Sequence, residues 1–165
     1  MASGKPIVRQ IAWVSILAPL VLMVVLIILF RLIVKPPNTA FALSLLIYLI
    51  IFFLLRFGIP RNHRNGVARY KAGNYESAIE EFKKSYEFFS RHSWVDKYRY
   101  ITLLSSSRVS YTEMALVNIA FCYTQLGDGV LARQYYEKAQ EQFPNSEMAR
   151  TALNMIHSFD GQPQK

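Results

Sequence analysis

The sequence predicts an all-α chain: an N-terminal transmembrane helical hairpin, then a short solenoid of α-hairpins closed by a C-terminal capping helix. Three observations predict it. Two long apolar runs, Ile11–Phe30 and Thr39–Leu55, carry no charged residue. No aspartate or glutamate precedes Glu76. A helix–turn–helix pattern is then written twice, around Gly73 and again around Gly127.

The net charge of +8 looks like that of a nucleic-acid binder until it is divided along the chain. Residues 1–75 hold nine Lys/Arg and no acid, whereas residues 76–165 hold ten Lys/Arg against eleven acids. The basic excess therefore flanks apolar segments, where it acts as a topology and lipid-headgroup signal. The nearly neutral remainder has no field to steer nucleic acid, so no nucleic-acid partner is expected. A single cysteine, Cys122, excludes an intramolecular disulfide and fits a reducing compartment.

The chain begins with a basic segment, 1–10, followed by a first span over 11–34. The 20 uncharged residues of Ile11–Phe30, at a rise of ~1.5 Å each, cover the roughly 30 Å hydrocarbon core. Pro19 is tolerated in such a helix. A short turn, 35–38, contains Pro36 and Pro37, which break the first helix and make its successor an antiparallel neighbour. The second span is 39–59; Arg56 can snorkel, letting Phe57 and Ile59 extend the apolar length. Two buried core helices would need a far larger soluble domain to cover them. Ala40-Phe41-Ala42 resembles a signal-peptidase site, but the run before it is too long for a signal peptide, and cleavage would expose a second apolar segment. Seven positive residues lie outside the link between the apolar runs (Lys5, Arg9, Arg56, Arg61, Arg64, Arg69 and Lys71), against Arg31 and Lys35 within that link, Arg31–Asn38. The chain is thus expected to be an integral membrane protein of two spans with both termini cytoplasmic, in a bacterial plasma (inner) membrane. Neither apolar run contains an ionisable residue of the kind transport sites use, so the hairpin reads as an anchor. Ala40 and Ser44 form a small-xxx-small pair, and Ala12, Ser15 and Ala18 are also small, but chance produces such spacing more readily than helix packing does.

Beyond the apolar runs lie two units, 60–92 and 113–146, of which residues 66–89 and 116–144 superimpose. Tyr70, Gly73-Asn74, Ala78, Phe82 and Ser85 fall against Tyr123, Gly127-Asp128, Ala132, Tyr136 and Ala139. Each glycine would end a first helix in the left-handed conformation that glycine adopts most cheaply. Each alanine would sit where two helices cross closely, beside the aromatic that fills the remaining space. Pro144 ends the later unit.

On these residues both units resemble tetratricopeptide repeats. In the later one Leu116, Ile119, Ala120, Tyr123, Gly127, Asp128, Ala132, Tyr136, Ala139 and Pro144 occupy signature positions. The earlier one follows the pattern only from Gly66 onward and departs from it at Asn62, Asn65, Arg69 and Ser90. The pattern alone therefore does not define its first helix. The resemblance implies an α-hairpin solenoid and no catalysis.

The inserted segment 93–112 separates the units. Trp94, Tyr98, Ile101 and Leu104 make a helical stripe, Ser105-Ser106-Ser107 a break, and Thr112 a candidate cap for the next helix. Two readings stay open: an interfacial helix flanked by Lys97, Arg99 and Arg108, or a turn and helix packed on the repeats. Residues 147–159 read as the capping helix, with Ser146 as N-cap and Ala149, Leu153 and Ile156 as its apolar stripe. Residues 160–165 form a tail.

No catalytic residue, metal site or cofactor is expected. His63, His92 and His157 are isolated from other ligating side chains, and Cys122 reads as a buried thiol beside Ala120 and Tyr123. Glu80 and Glu81 read as a solvated face opposite Lys83 and Lys84.

The resemblance implies binding on the face lined by first helices, carried by His63, Val67, Tyr70 and Lys71 in the first unit and Met114, Val117, Asn118, Phe121 and Gln125 in the second. A protein partner, peptide or helix, with hydrophobic anchors suits that groove. The capping helix or the hairpin filling it is the competing expectation. Arg56, Arg61, Arg64, Arg69 and Lys71 form a basic junction toward the lipid bilayer. The function expected is a membrane-anchored adaptor or scaffold. The alternative is an accessory subunit of a multi-protein membrane complex, such as a transporter or envelope assembly machine, docked through its hairpin.

Overall fold

The computed structural model describes residues 17–105 and 107–160. The expected segment 1–10, the beginning of the first span with Ala12 and Ser15, Ser106 and the tail beyond residue 160 lie outside them. In chain order the helices are α1 (Leu17–Ile33), α2 (Pro37–Phe53), which continues into a π-helical turn (Leu54–Gly58), α3 (Arg61–Lys71), α4 (Tyr75–Arg91), α5 (Ser93–Lys97), α6 (Arg99–Thr102), α7 (Tyr111–Gln125), α8 (Gly129–Gln142) and α9 (Glu147–Asp160). The fold is all-α, with no strand among the described residues. The chain forms two compact units: Met1–Ile59 with Lys97–Val109, and Pro60–Asp96 with Ser110–Lys165.

In the first unit α1 and α2 pack side by side. Pro37 opens α2 at a position where a missing N–H costs nothing, so the break between the helices precedes it. The two buried residues of α2 are Ala40 and Ser44. The Ser44 hydroxyl lies 2.7 Å from the Ala40 carbonyl and 3.3 Å from the Leu26 carbonyl of α1. The small-xxx-small spacing is therefore a packing device that lets the two backbones approach. Most other side chains face outward, among them Leu20, Val24 and Ile28 on α1 and Leu46, Ile50 and Phe53 on α2. Pro37–Gly58, 22 residues of mean hydropathy 2.5, is long and apolar enough to cross a membrane by length and composition; α1 is shorter over its described 17 residues.

Residues 97–109 return to this first unit, with α6 against α1. Arg56, half-buried in the π-helical turn, donates from Nη1 to the Leu104 carbonyl at 3.4 Å. Leu103, Leu104 and Ser105 are buried. Leu104 has φ +46°, a left-handed conformation unfavourable for a leucine, and it lies in a loop rather than on a helix. The expected continuous stripe is thus corrected to two short helices joined at Tyr98, the second ended by Leu103.

In the second unit α3 packs on α4, α4 on α7, α7 on α8 and α8 on α9. Because α4 meets α7 directly, the solenoid continues as though the insert were absent. Gly73 (φ +77°) and Gly127 (φ +78°) end α3 and α7 in the left-handed conformation. Asn74 and Asp128 then cap the following helices, accepting from Ser77 N at 3.4 Å and Leu131 N at 2.9 Å. Ala78, Ala132 and Ala139 are almost wholly buried, as are Phe82 and Tyr136 beside them. Gly66 marks another close crossing: a Cβ there would lie 2.7 Å from the Phe82 ring. The first helix of the earlier unit therefore forms despite its departures from the pattern.

The start of α7 is held from a distance. The buried Asp96 carboxylate accepts from Tyr111 N at 2.7 Å, Thr112 N at 2.8 Å and the Thr112 hydroxyl at 2.6 Å. Ser110, not Thr112, is the N-cap, accepting from Glu113 N at 3.1 Å. A carboxylate satisfying otherwise unpaired N–H groups at a helix N-terminus is favoured by both hydrogen bonding and the helix dipole.

Candidate functional site

The candidate surface is built by α3 and α7. Tyr70 of α3 meets Phe121 of α7 edge-on, ring centroids 5.5 Å apart, and also touches Tyr75 at 5.7 Å. Around this pair Val67, Met114 and Asn118 are half-buried, and Lys71 and Gln125 are exposed. Partial burial pushes the Tyr70 hydroxyl above its ordinary pKa, with Tyr75 and Cys122 adding to the effect, so the phenol stays neutral. Chemically the surface offers two aromatic edges, aliphatic and thioether flanks, two amides and one ammonium.

Two of the nine groove residues expected from sequence are not on this surface. Val117 is 7% exposed and packs in the core with Leu116, Ala120, Ala149 and Leu153, so α9 shares the space beside it. His63 is also 7% exposed and lies between the rings of Phe82 (5.4 Å) and Tyr111 (5.2 Å). Burial lowers its pKa to about 4. Both residues occupy the same position of the two units, 54 residues apart, and at that position the helix faces inward.

The basic junction also divides. Arg61, Arg64, Arg69 and Lys71 are exposed on α3, with Arg69 and Lys71 in its last turn, where they favour the helix dipole. Arg56 belongs to the first unit and is engaged by Leu104.

Tyr70 and Tyr123, paired in the sequence, are not equivalents. Tyr123 stacks on Tyr135 at 5.6 Å, and Lys83 Nζ lies 3.3 Å from its hydroxyl, which ties α4, α7 and α8 together. Lys83 thus serves the tyrosines, while Lys84 alone pairs with Glu81, at 3.1 Å. Cys122 is fully buried, and burial pushes its thiol up to about 11, which makes it a poor nucleophile. Among the described residues no three His, Cys, Asp or Glu side chains are grouped to hold a metal ion.

The helix pair α7–α8, with its left-handed glycine, aspartate cap and alanine crossings, has a counterpart among known families. Residues 114–146 match a tetratricopeptide repeat model. The match covers α8 and nearly all of α7, so Asn118, Phe121 and Gln125 lie within the tetratricopeptide repeat. A repeat of this kind suggests a protein-binding role. No curated protein and no solved structure matches the chain.

Proposed function

We propose that this protein is a membrane-anchored tetratricopeptide adaptor that holds a partner protein at the inner face of a bacterial plasma membrane and performs no catalysis. One observation carries the reading: the chain joins a tetratricopeptide repeat to an apolar 22-residue helix of which only 11% of the most apolar stretch is buried. A core helix of a soluble protein would have most of that stretch covered. The two apolar runs support two spans, and the distribution of Lys and Arg along the sequence supports an orientation with both termini cytoplasmic. Cysteines placed at Asn38 and Val130 should then label from opposite sides of the membrane, and labelling from one side refutes the topology.

The partner would meet Tyr70, Phe121, Asn118 and Met114. Phe121→Asp places a charge beside Tyr70 without touching the buried core. It should abolish capture of the partner from solubilised native membranes while helicity is retained. Undiminished capture by Phe121→Asp, with loss of the complex when the hairpin is exchanged for an unrelated one, would assign recognition to the membrane helices and make the protein an accessory subunit.

A further inference from the structure

The first unit is assembled from two stretches separated by 37 residues, yet both stretches lack carboxylates. Met1–Ile59 and Lys97–Val109 together hold eight Lys/Arg and no acid. The second unit holds eleven of each. The whole net charge of +8 thus belongs to the first unit, and the inserted stretch shares its composition as well as its packing.

The placement of that stretch is specific. Arg56, at the polar end of the Pro37–Gly58 helix, reaches the Leu104 carbonyl, so the loop sits at that end of the apolar span. Tyr98 (53% exposed) and Ile101 (66% exposed) point away from the protein. Lys97 Nζ lies over the Tyr98 ring at 5.7 Å, and Arg108 is exposed. The loop also meets much of its hydrogen-bonding need internally. Arg99 donates from Nε to the Ser107 carbonyl at 2.9 Å and from Nη2 to the Arg108 carbonyl. The Ser107 hydroxyl donates to the Val109 carbonyl at 2.8 Å, and Ser105 N to the Arg99 carbonyl at 3.0 Å. A backbone with several of its carbonyls satisfied within the loop suits a boundary where water is scarce.

We propose that Lys97–Val109 is an interfacial wedge: Tyr98 and Ile101 enter the boundary between lipid headgroups and acyl chains, and Lys97 and Arg108 meet anionic headgroups. The chemistry is that of an interfacial segment, apolar and aromatic on one side and basic on the other. The proposal rests on the membrane-anchored reading and adds a third point of lipid contact to the two helices.

Depth-resolved fluorescence quenching tests it on the full-length chain. Single cysteines at Leu46, Ile101 and Val130, in a Cys122→Ala background, carry an environment-sensitive dye. The protein is reconstituted in phosphatidylcholine–phosphatidylglycerol vesicles containing lipids brominated at shallow or deep acyl positions. Ile101 should lose fluorescence chiefly to shallow bromines, Leu46 to deep ones, and Val130 to neither. Quenching at Leu46 with none at Ile101 overturns the wedge and leaves the anchor standing. An unquenched Leu46 overturns both.

Discussion

The two helical hairpins of the second unit share a framework and differ in one helix. Each has a left-handed glycine, an Asn or Asp cap and a buried alanine, at Gly73, Asn74 and Ala78 and again at Gly127, Asp128 and Ala132. Their first helices diverge. Leu116, Ile119 and Ala120 of α7 are fully buried, whereas the corresponding residues of α3 are Asn62, Asn65 and Gly66. α7 packs on both α4 and α8 and shares a core with α9; the main partner of α3 in its unit is α4. A helix packed on two sides needs apolar residues around most of its circumference, and a terminal helix needs only one such face. The departures from the repeat pattern in α3 therefore record its position at the end of the solenoid.

The sharpest break of this comparison is a pair of truncations at equivalent positions. Leu116→Ala should destabilise the second unit by about 2–5 kcal/mol, the usual cost of emptying a packed leucine site. Asn62→Ala, 54 residues earlier, should change stability by no more than about 0.5 kcal/mol. Urea unfolding of the full chain in micelles, followed by near-UV circular dichroism, measures both. Equal costs would show that α3 is as enclosed as α7.

The next prediction uses the inward position that His63 shares with Val117. His63 has a pKa of about 4 in the fold against an ordinary 6.5. Below pH 6.5 the unfolded chain binds a proton that the folded chain refuses, so stability is complete above that pH and falls as pH drops toward 4. The loss should reach about 3 kcal/mol, since each unit of pKa shift corresponds to about 1.4 kcal/mol. His63→Val gives the first hairpin the residue of the second and should remove this part of the slope. Identical pH profiles for the two proteins would refute it.

The smallest of the three effects concerns helix starts. Asp96→Ala deprives α7 of three hydrogen bonds and should cost about 2 kcal/mol, while Asn74→Ala at α4 should cost about 1 kcal/mol. Amide hydrogen exchange at Tyr111, Thr112 and Ser77 distinguishes the two losses. Faster exchange at Ser77 than at Thr112 in the Asp96 variant would contradict the assignment.

These residues also show what the sequence could and could not convey. The glycine turns, the alanine crossings and the buried Cys122 follow from local pattern, because the residues responsible lie within one hairpin. Asp96 capping a helix 15 residues away, Arg56 reaching Leu104 and the Gly66–Phe82 approach all depend on contacts that spacing does not encode. The repeat resemblance places Val117 and His63 on the family's binding face; packing against α9 in one case and two aromatic rings in the other turns them inward. The allegiance of Lys97–Val109 was legible after all, in charge rather than in periodicity. Its lack of carboxylates matches the hairpin, whereas the broken stripe Trp94-Tyr98-Ile101-Leu104 points nowhere in particular.

That discontinuity also bears on the order of synthesis. A chain emerging from its N-terminus presents α1 and α2 early, yet their unit gains its last stretch only with Val109. By then α3 and α4 have been made without α7, the helix that covers Phe82 and Ile79 through Ile119 and Cys122. The apolar face of the first hairpin must therefore wait, uncovered, while the first unit is completed. Slowing translation after Val109 would lengthen that wait, and with it the exposure of this face to chaperones and to aggregation.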